Sequence, residues 1–191
     1  MLRKIMRSCA LAGWLSFAIS GVAAQEIIHV YAGIVSAVDA GALTVTIAAN
    51  DSSQEVFNYT ADAKSVEQIP RKMRDGVVAV NTVKEKGTYV IMYYFIHGKI
   101  RTAVGLRILG PGPFIEEIGT VVVIEGRTIA IRKKSGAVQS FGVRPNTIAE
   151  SSLGPVEGLK FQPEKGDLVR IIATAQNDGG NALFIDGTAA D

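Results

Sequence analysis

Groups able to do chemistry are few in this sequence. His29 and His97 are the two histidines, and no cluster of carboxylates accompanies either along the chain. His97 precedes Gly98 at the expected tip of a hairpin, where a polar turn residue needs no further role. Glu116, Glu117 and Asp167 fall near expected strand ends. Paired carboxylates can do acid–base work, but neighbours on a strand point to opposite faces. Glu116 and Glu117 therefore read as a solvated linker, and a hydrolase would need acids from distant strands to meet in one pocket. No nucleophile elbow, phosphate-cradling glycine loop or metal-binding helix motif is present. No cofactor or metal is implied, and an enzyme is not expected. The residues most suited to recognition are an aromatic and basic set: Tyr89, Ile91, Tyr93, Phe95, Arg101 and Arg107.

Whatever those residues do, the chain must first be placed. Residues 1–24 have the parts of a cleavable export signal: a basic start (Arg3, Lys4, Arg7), an apolar core (Ala10 to Ile19) and small residues ending at Ala24. The core is shorter than the roughly 20 residues of a membrane span. Cys9, the single cysteine, precedes that core instead of ending it, which is the wrong order for lipidation. Cleavage before Gln25 predicts a periplasmic or extracellular protein with no membrane span, no disulfide and no thiolate chemistry. The sequence has 20 basic and 18 acidic residues. Three of the bases lie in the signal, so the remainder is close to neutral. Bulk charge then gives no attraction for nucleic acid, and no nucleic-acid partner is expected.

Beyond the signal, short apolar runs alternate with Gly, Asn and Asp turns, the pattern of an all-β chain. The pattern is written twice. Gly33-Ile34-Val35, an Asp39-Ala40-Gly41 turn and Leu43 to Ile47 are echoed by Gly119-Thr120-Val121, Glu125-Gly126 and Thr128 to Ile131. Phe57-Asn58-Tyr59 matches Phe141-Gly142-Val143, and Lys86-Gly87 matches Lys165-Gly166. Both copies end on a similar strand, around Ala103 to Leu106 and Ala182 to Ile185. Such self-similarity decides the domain count. We expect one repeat over 25–109, a Gly/Pro linker over 110–115 and a second repeat over 116–191. Each copy should be a small OB-like β-barrel of about five strands. Val66, Ile69 and Met73 predict a short helix in the first repeat, weakened by Pro70. In the second, Pro155, Gly158 and Pro163 predict a loop.

The landmarks G-x-V, acidic-Gly turn, F-x-V/Y, K-G and a closing A-x-x-I/L strand resemble bacterial exported domains of unknown function. That resemblance implies small OB-like barrels, often in tandem. It rests on structural glycines and core positions, and brings no catalytic residues with it.

The repeat also orients the hairpin from Thr88 to Ile108. Val90, Met92, Tyr94 and Ile96 align with Val169, Ile171, Ala173 and Ala175, an apolar set in both copies, and should line the barrel. Tyr89, Ile91, Tyr93 and Phe95 then face outward. A turn at His97-Gly98-Lys99 would set Phe95 beside Arg101, Tyr93 beside Ala103 and Tyr89 beside Arg107, with the arginines as cation–π partners. Three roles are open to this strip. It packs against the other repeat, it docks a protein partner or a second copy, or it stacks a glycan or other ligand. The leading expectation is an exported, non-catalytic binding or assembly module acting through protein contact. A carbohydrate- or small-ligand-binding protein of the envelope is the alternative. Arg127 with Arg132-Lys133-Lys134 could meet an anionic envelope surface, but such a run at a hairpin is more simply solvated.

Overall fold

The computed structural model describes residues 26–49, 53–110, 112–176 and 179–187; the expected export signal lies outside them. Among the described residues no helix is long and apolar enough to cross a membrane. The first repeat contains β1 (Ile28–Asp39), β2 (Thr44–Ala48), β3 (Gln54–Tyr59), β4 (Val77–Val78), β5 (Tyr89–His97) and β6 (Ile100–Gly110). The second contains β7 (Phe114–Glu125), β8 (Thr128–Lys133), β9 (Val138–Ser151), β10 (Gly154–Glu157), β11 (Leu168–Thr174) and β12 (Asn181–Asp186). In each, antiparallel pairing runs from the third main strand through the first to the last, and a parallel pairing, β3 with β6 or β9 with β12, closes the ring. The fold is all-β: two tandem OB-like barrels of five main strands each. Closure leaves few free edges for stray pairing, and β4 and β10 extend β6 and β9 at the side.

The duplication persists in local geometry. A β-carbon on Gly33 would sit 2.4 Å from the Ala48 carbonyl oxygen, and one on Gly119 would sit 2.7 Å from that of Arg132. Both glycines let the first strand press against the second at the same point. Just beyond, each first strand carries a register shift, between Val35 and Ala37 and between Val121 and Val123. Such a bulge bends a strand so that a small sheet can close on itself. Gly87 and Gly166 each donate a backbone hydrogen bond of 2.9 Å to the carbonyl of Val35 or Val121.

Alternation places Val45, Ile47, Phe57, Val90 and Met92 inside the first barrel. Ile129, Ile131, Phe141, Val169 and Ile171 fill the second. The expected lining sets are therefore inside, apart from Ile96 and Ala175, which are exposed. The expected short helix is two 3-10 turns, Ala63–Gln68 and Arg71–Met73. Pro70 divides them, because it lacks an amide donor and holds its predecessor extended. In the second repeat β10 and a single 3-10 turn, Gly158–Lys160, stand where a loop was expected. The Gly/Pro boundary is narrower than 110–115, since β6 runs to Gly110 and β7 begins at Phe114.

A third apolar cluster lies between the barrels. It joins Ile28, Val30, Ala32, Ile91 and Tyr93 of the first barrel with Ile148, Ile172 and Phe184 of the second, under Ile69 and Met73. Burying an aliphatic or aromatic side chain of this size contributes about 1.5–3 kcal/mol. The two barrels thus share a continuous apolar seam.

Candidate functional site

That seam decides the fate of the aromatic strip. Tyr89, Ile91, Tyr93 and Phe95 do face out of the first barrel, but they face into the molecule. Ile91 and Tyr93 are fully buried, and the Tyr93 hydroxyl donates to the Met73 carbonyl at 3.3 Å. Tyr89 packs edge-on against Phe114 with ring centroids 5.0 Å apart. Phe95 lies half-buried in the same cluster. Gly105, opposite Tyr93, admits this cover, since a β-carbon there would meet Val77 at 2.8 Å and Ile69 at 2.9 Å. The strip as an open partner-binding surface is therefore corrected: it is the contact between repeats, because leaving so much apolar area in water costs more than docking the barrels.

The hairpin register is corrected as well. His97 pairs with Ile100 across a turn at Gly98-Lys99, where Gly98 has a φ of 62°. A positive φ at the first turn residue suits a two-residue hairpin loop. Phe95 consequently sits beside Thr102, and a further register shift between Tyr94 and Tyr93 sets Tyr93 beside Gly105 and Ile91 beside Arg107. Arg107 holds the cover in place, donating to the Asp75 carbonyl at 2.7 Å and to the Asn146 carbonyl of the second barrel at 3.3 Å. Arg101 points elsewhere, to Glu55 at 2.9 Å. Neither arginine is the cation over a ring. That place is taken by Arg170, 5.0 Å from the centre of Tyr31 and 5.6 Å from that of Phe184.

Arg170 belongs to a polar network at the open end of the seam, which the sequence reading missed. Its guanidinium donates at 2.9 Å both to Glu116 and to the Ala32 carbonyl of the first barrel, and lies 3.5 Å from Asp186. Glu116 and Glu117 are thus not a solvated linker. β7 starts early enough that strand alternation sends Glu116 into the seam and Glu117 to Lys133, at 3.0 Å. Across the seam His29 Nδ1 meets Glu150 Oε1 at 2.7 Å, while the Val30 amide donates to Glu150 Oε2 at 3.1 Å. Both carboxyl oxygens of a second-barrel residue are held by β1 of the first.

Burial governs the state of this pair. It pushes the Glu150 carboxyl up to about 8, with nearby Asp186 adding to the rise and the Val30 amide opposing it. It also holds the His29 imidazole below its usual range. Both shifts favour the uncharged form of the contact, a carboxylic acid bonded to a neutral imidazole.

Beside the network opens a cleft of about 560 Å³. The first barrel lines it with His29, Tyr31, Ser53, Glu55, Tyr94 and Arg101. Glu150, Ser151, Ser152, Arg170 and Asp186 line it from the second. Acids from distant strands do meet in one pocket here, the arrangement that the spacing along the chain gave no reason to expect. Among the described residues no group of three or more His, Cys, Asp or Glu is placed to hold a metal ion. One signal for the site was in the sequence: Arg170 interrupts the apolar run Leu168-Val169-Arg170-Ile171-Ile172, and a charge inside a buried strand requires a partner.

No family model and no curated protein matches the chain. Among solved structures it is similar to "drosophila Unr CSD456", with a TM-score of 0.31 and 11% sequence identity. The match covers 87% of this chain and 63% of that one, so the chain spans less than two thirds of its length. The expected absence of a nucleic-acid partner, which rested on bulk charge and the expected export signal, is withdrawn. A likeness this distant assigns no ligand to the chain.

Proposed function

We propose that the chain is an exported, non-catalytic binding module, and that its ligand is a small molecule held in the cleft between the barrels. The observation carrying this reading is that both repeats supply side chains to one cleft of about 560 Å³, a size typical of small-molecule sites. Protein contact through the aromatic strip, the role first expected, lacks a surface once Ile91 and Tyr93 are buried. The test is a small-molecule screen by protein-detected NMR on the chain from Gln25. Binders should shift the amides of Ser53, Tyr94 and Ser151 together. Binders that cluster on residues outside the cleft would overturn the reading.

A second reading has one observation in its favour. Glu55, Glu150 and Asp186 line the same cleft, and a carboxyl with a raised pKa can serve as a general acid. The occupation of both Glu150 oxygens by His29 and Val30 weighs toward a structural role. Recovery of a bound ligand unchanged after long incubation favours binding alone; recovery of cleavage products favours hydrolysis.

A further inference from the structure

The cleft's charges are arranged in pairs, and the pairing narrows its ligand. Arg101 is held by Glu55 at 2.9 Å, with each side chain about a third open to the cleft (35% and 29%). Arg170 is held by Glu116 at 2.9 Å and Asp186 at 3.5 Å, and its side chain is almost fully covered. Each cation lining the cleft therefore stands against at least one carboxylate. An anionic ligand would find no uncompensated positive field and would meet carboxylates on both walls. A hydrocarbon would strip water from Glu55 and Arg101 without replacing its hydrogen bonds, which is costly for charged groups.

A ligand bearing both donors and acceptors, and no net charge, meets neither penalty. The Arg101–Glu55 pair presents guanidinium donors beside carboxylate acceptors, so adjacent hydroxyl groups on one ligand can accept from the first and donate to the second. Ser53, Ser151 and Ser152 add hydroxyls on the same rim. The rest of the lining is partly apolar: Ile96 is exposed, Tyr31 half-buried and Tyr94 buried beside His29, their rings 5.7 Å apart. An exposed aliphatic side chain such as Ile96 can pack against the C–H surface of a sugar ring. We propose that the ligand of this cleft is a neutral polyhydroxyl compound, a mono- or disaccharide in size, recognised through the Arg101–Glu55 pair. This rests on the cleft reading above and names the chemistry of that same site.

The experiment is a parallel NMR titration of the chain from Gln25 with trehalose, N,N′-diacetylchitobiose, inorganic phosphate, decanoate and a single-stranded oligonucleotide. The expected result is that a saccharide shifts the amides of Ser53, Tyr94 and Ser151. Glu55→Gln should then weaken it about tenfold, as a charge-assisted hydrogen bond becomes a neutral one, with little change in Tm, because a partly exposed ion pair contributes little to stability. If phosphate, decanoate or the oligonucleotide shifts those amides and neither saccharide does, the polyol class is wrong while the cleft remains a binding site. If none of the five shifts them, both readings fail. Saccharide binding that Glu55→Gln leaves unaltered removes the ion pair from recognition and overturns the proposal as stated.

Discussion

The two barrels share a strand order, matched glycines and matched bulges, and they dock through the same outer face. They differ in what that face carries. At matched positions the first barrel has Val30, Ile91 and Arg107 where the second has Glu116, Arg170 and Asp186. These align through Gly33 with Gly119 and Val90 with Val169. One copy offers apolar surface and ties its single cation to backbone carbonyls; the other inserts a buried ion pair. The ion pair works because the first barrel completes it: the Ala32 carbonyl takes a donor from Arg170 and the Tyr31 ring lies under its charge. Duplication supplied two equivalent docking faces, and divergence made them complementary. Two identical apolar faces would have carried less information about how to align.

The strongest way to break this picture is at its apolar end. Tyr93→Ala removes a fully buried ring and should cost about 3–5 kcal/mol in urea unfolding, as large-to-small core changes do. A cost no larger than that of Val56→Ala, at an exposed site, would mean that the barrels are not packed together. At the polar end, Arg170→Met leaves Glu116 buried without its cation and should destabilise by about 3–5 kcal/mol. The double change Arg170→Ile with Glu116→Val gives the second barrel the residues of the first. It should recover part of that loss, because Glu116 is no longer buried without its cation, while Asp186 and the Ala32 carbonyl still lose the guanidinium. If the double variant is as unstable as the single one, shape and not charge is what the pair contributes.

A smaller cost is expected where the copies are alike. Gly33→Ala and Gly119→Ala each force a β-carbon against a backbone carbonyl and should each destabilise by about 1–3 kcal/mol. Near-equal values from the two would support a shared strand crossing; a several-fold difference would mean that one copy has relaxed it.

The fold was largely legible because its signals are local. Gly33 and Gly119, the acidic turns and the K-G pairs repeat in order, and alternation correctly sorted Val90, Met92 and Tyr94 from Tyr89, Ile91 and Tyr93. The site was not legible, for a physical reason. His29 and Glu150, or Arg170 and Ala32, are brought together by docking of one barrel on the other, and nothing in the spacing of a strand encodes that. The strip shows the same limit: sequence places it outside a barrel but does not say what covers it. The hairpin register failed in two ways: the choice between a turn of two and one of three rests on the φ of Gly98, and the register shifts at Tyr93/Tyr94 and Tyr89/Val90 add to the offset along the strand.

Two His–Glu contacts of equal length make the finest comparison. His29–Glu150 lies in the seam, whereas His97–Glu26 lies in solvent, and both measure 2.7 Å. Because Glu150 is raised from 4.5 to about 8 in the folded state, the fold holds its proton where the unfolded chain has released it. Its contribution is complete below about pH 4.5 and is lost as pH rises through 8. His29, lowered by burial, works in the opposite sense: its contribution is present above 6.5 and is lost as pH falls. Glu150→Gln keeps an acceptor for Val30 and a donor for His29. It should therefore flatten the alkaline fall in Tm while sparing the acid one; an unchanged alkaline fall would clear Glu150 of that role. His97→Ala should change stability by less than about 0.5 kcal/mol and leave the pH profile unaltered, because solvent already satisfies both partners. If His97→Ala alters the profile as much as Glu150→Gln does, burial is not what separates the two pairs.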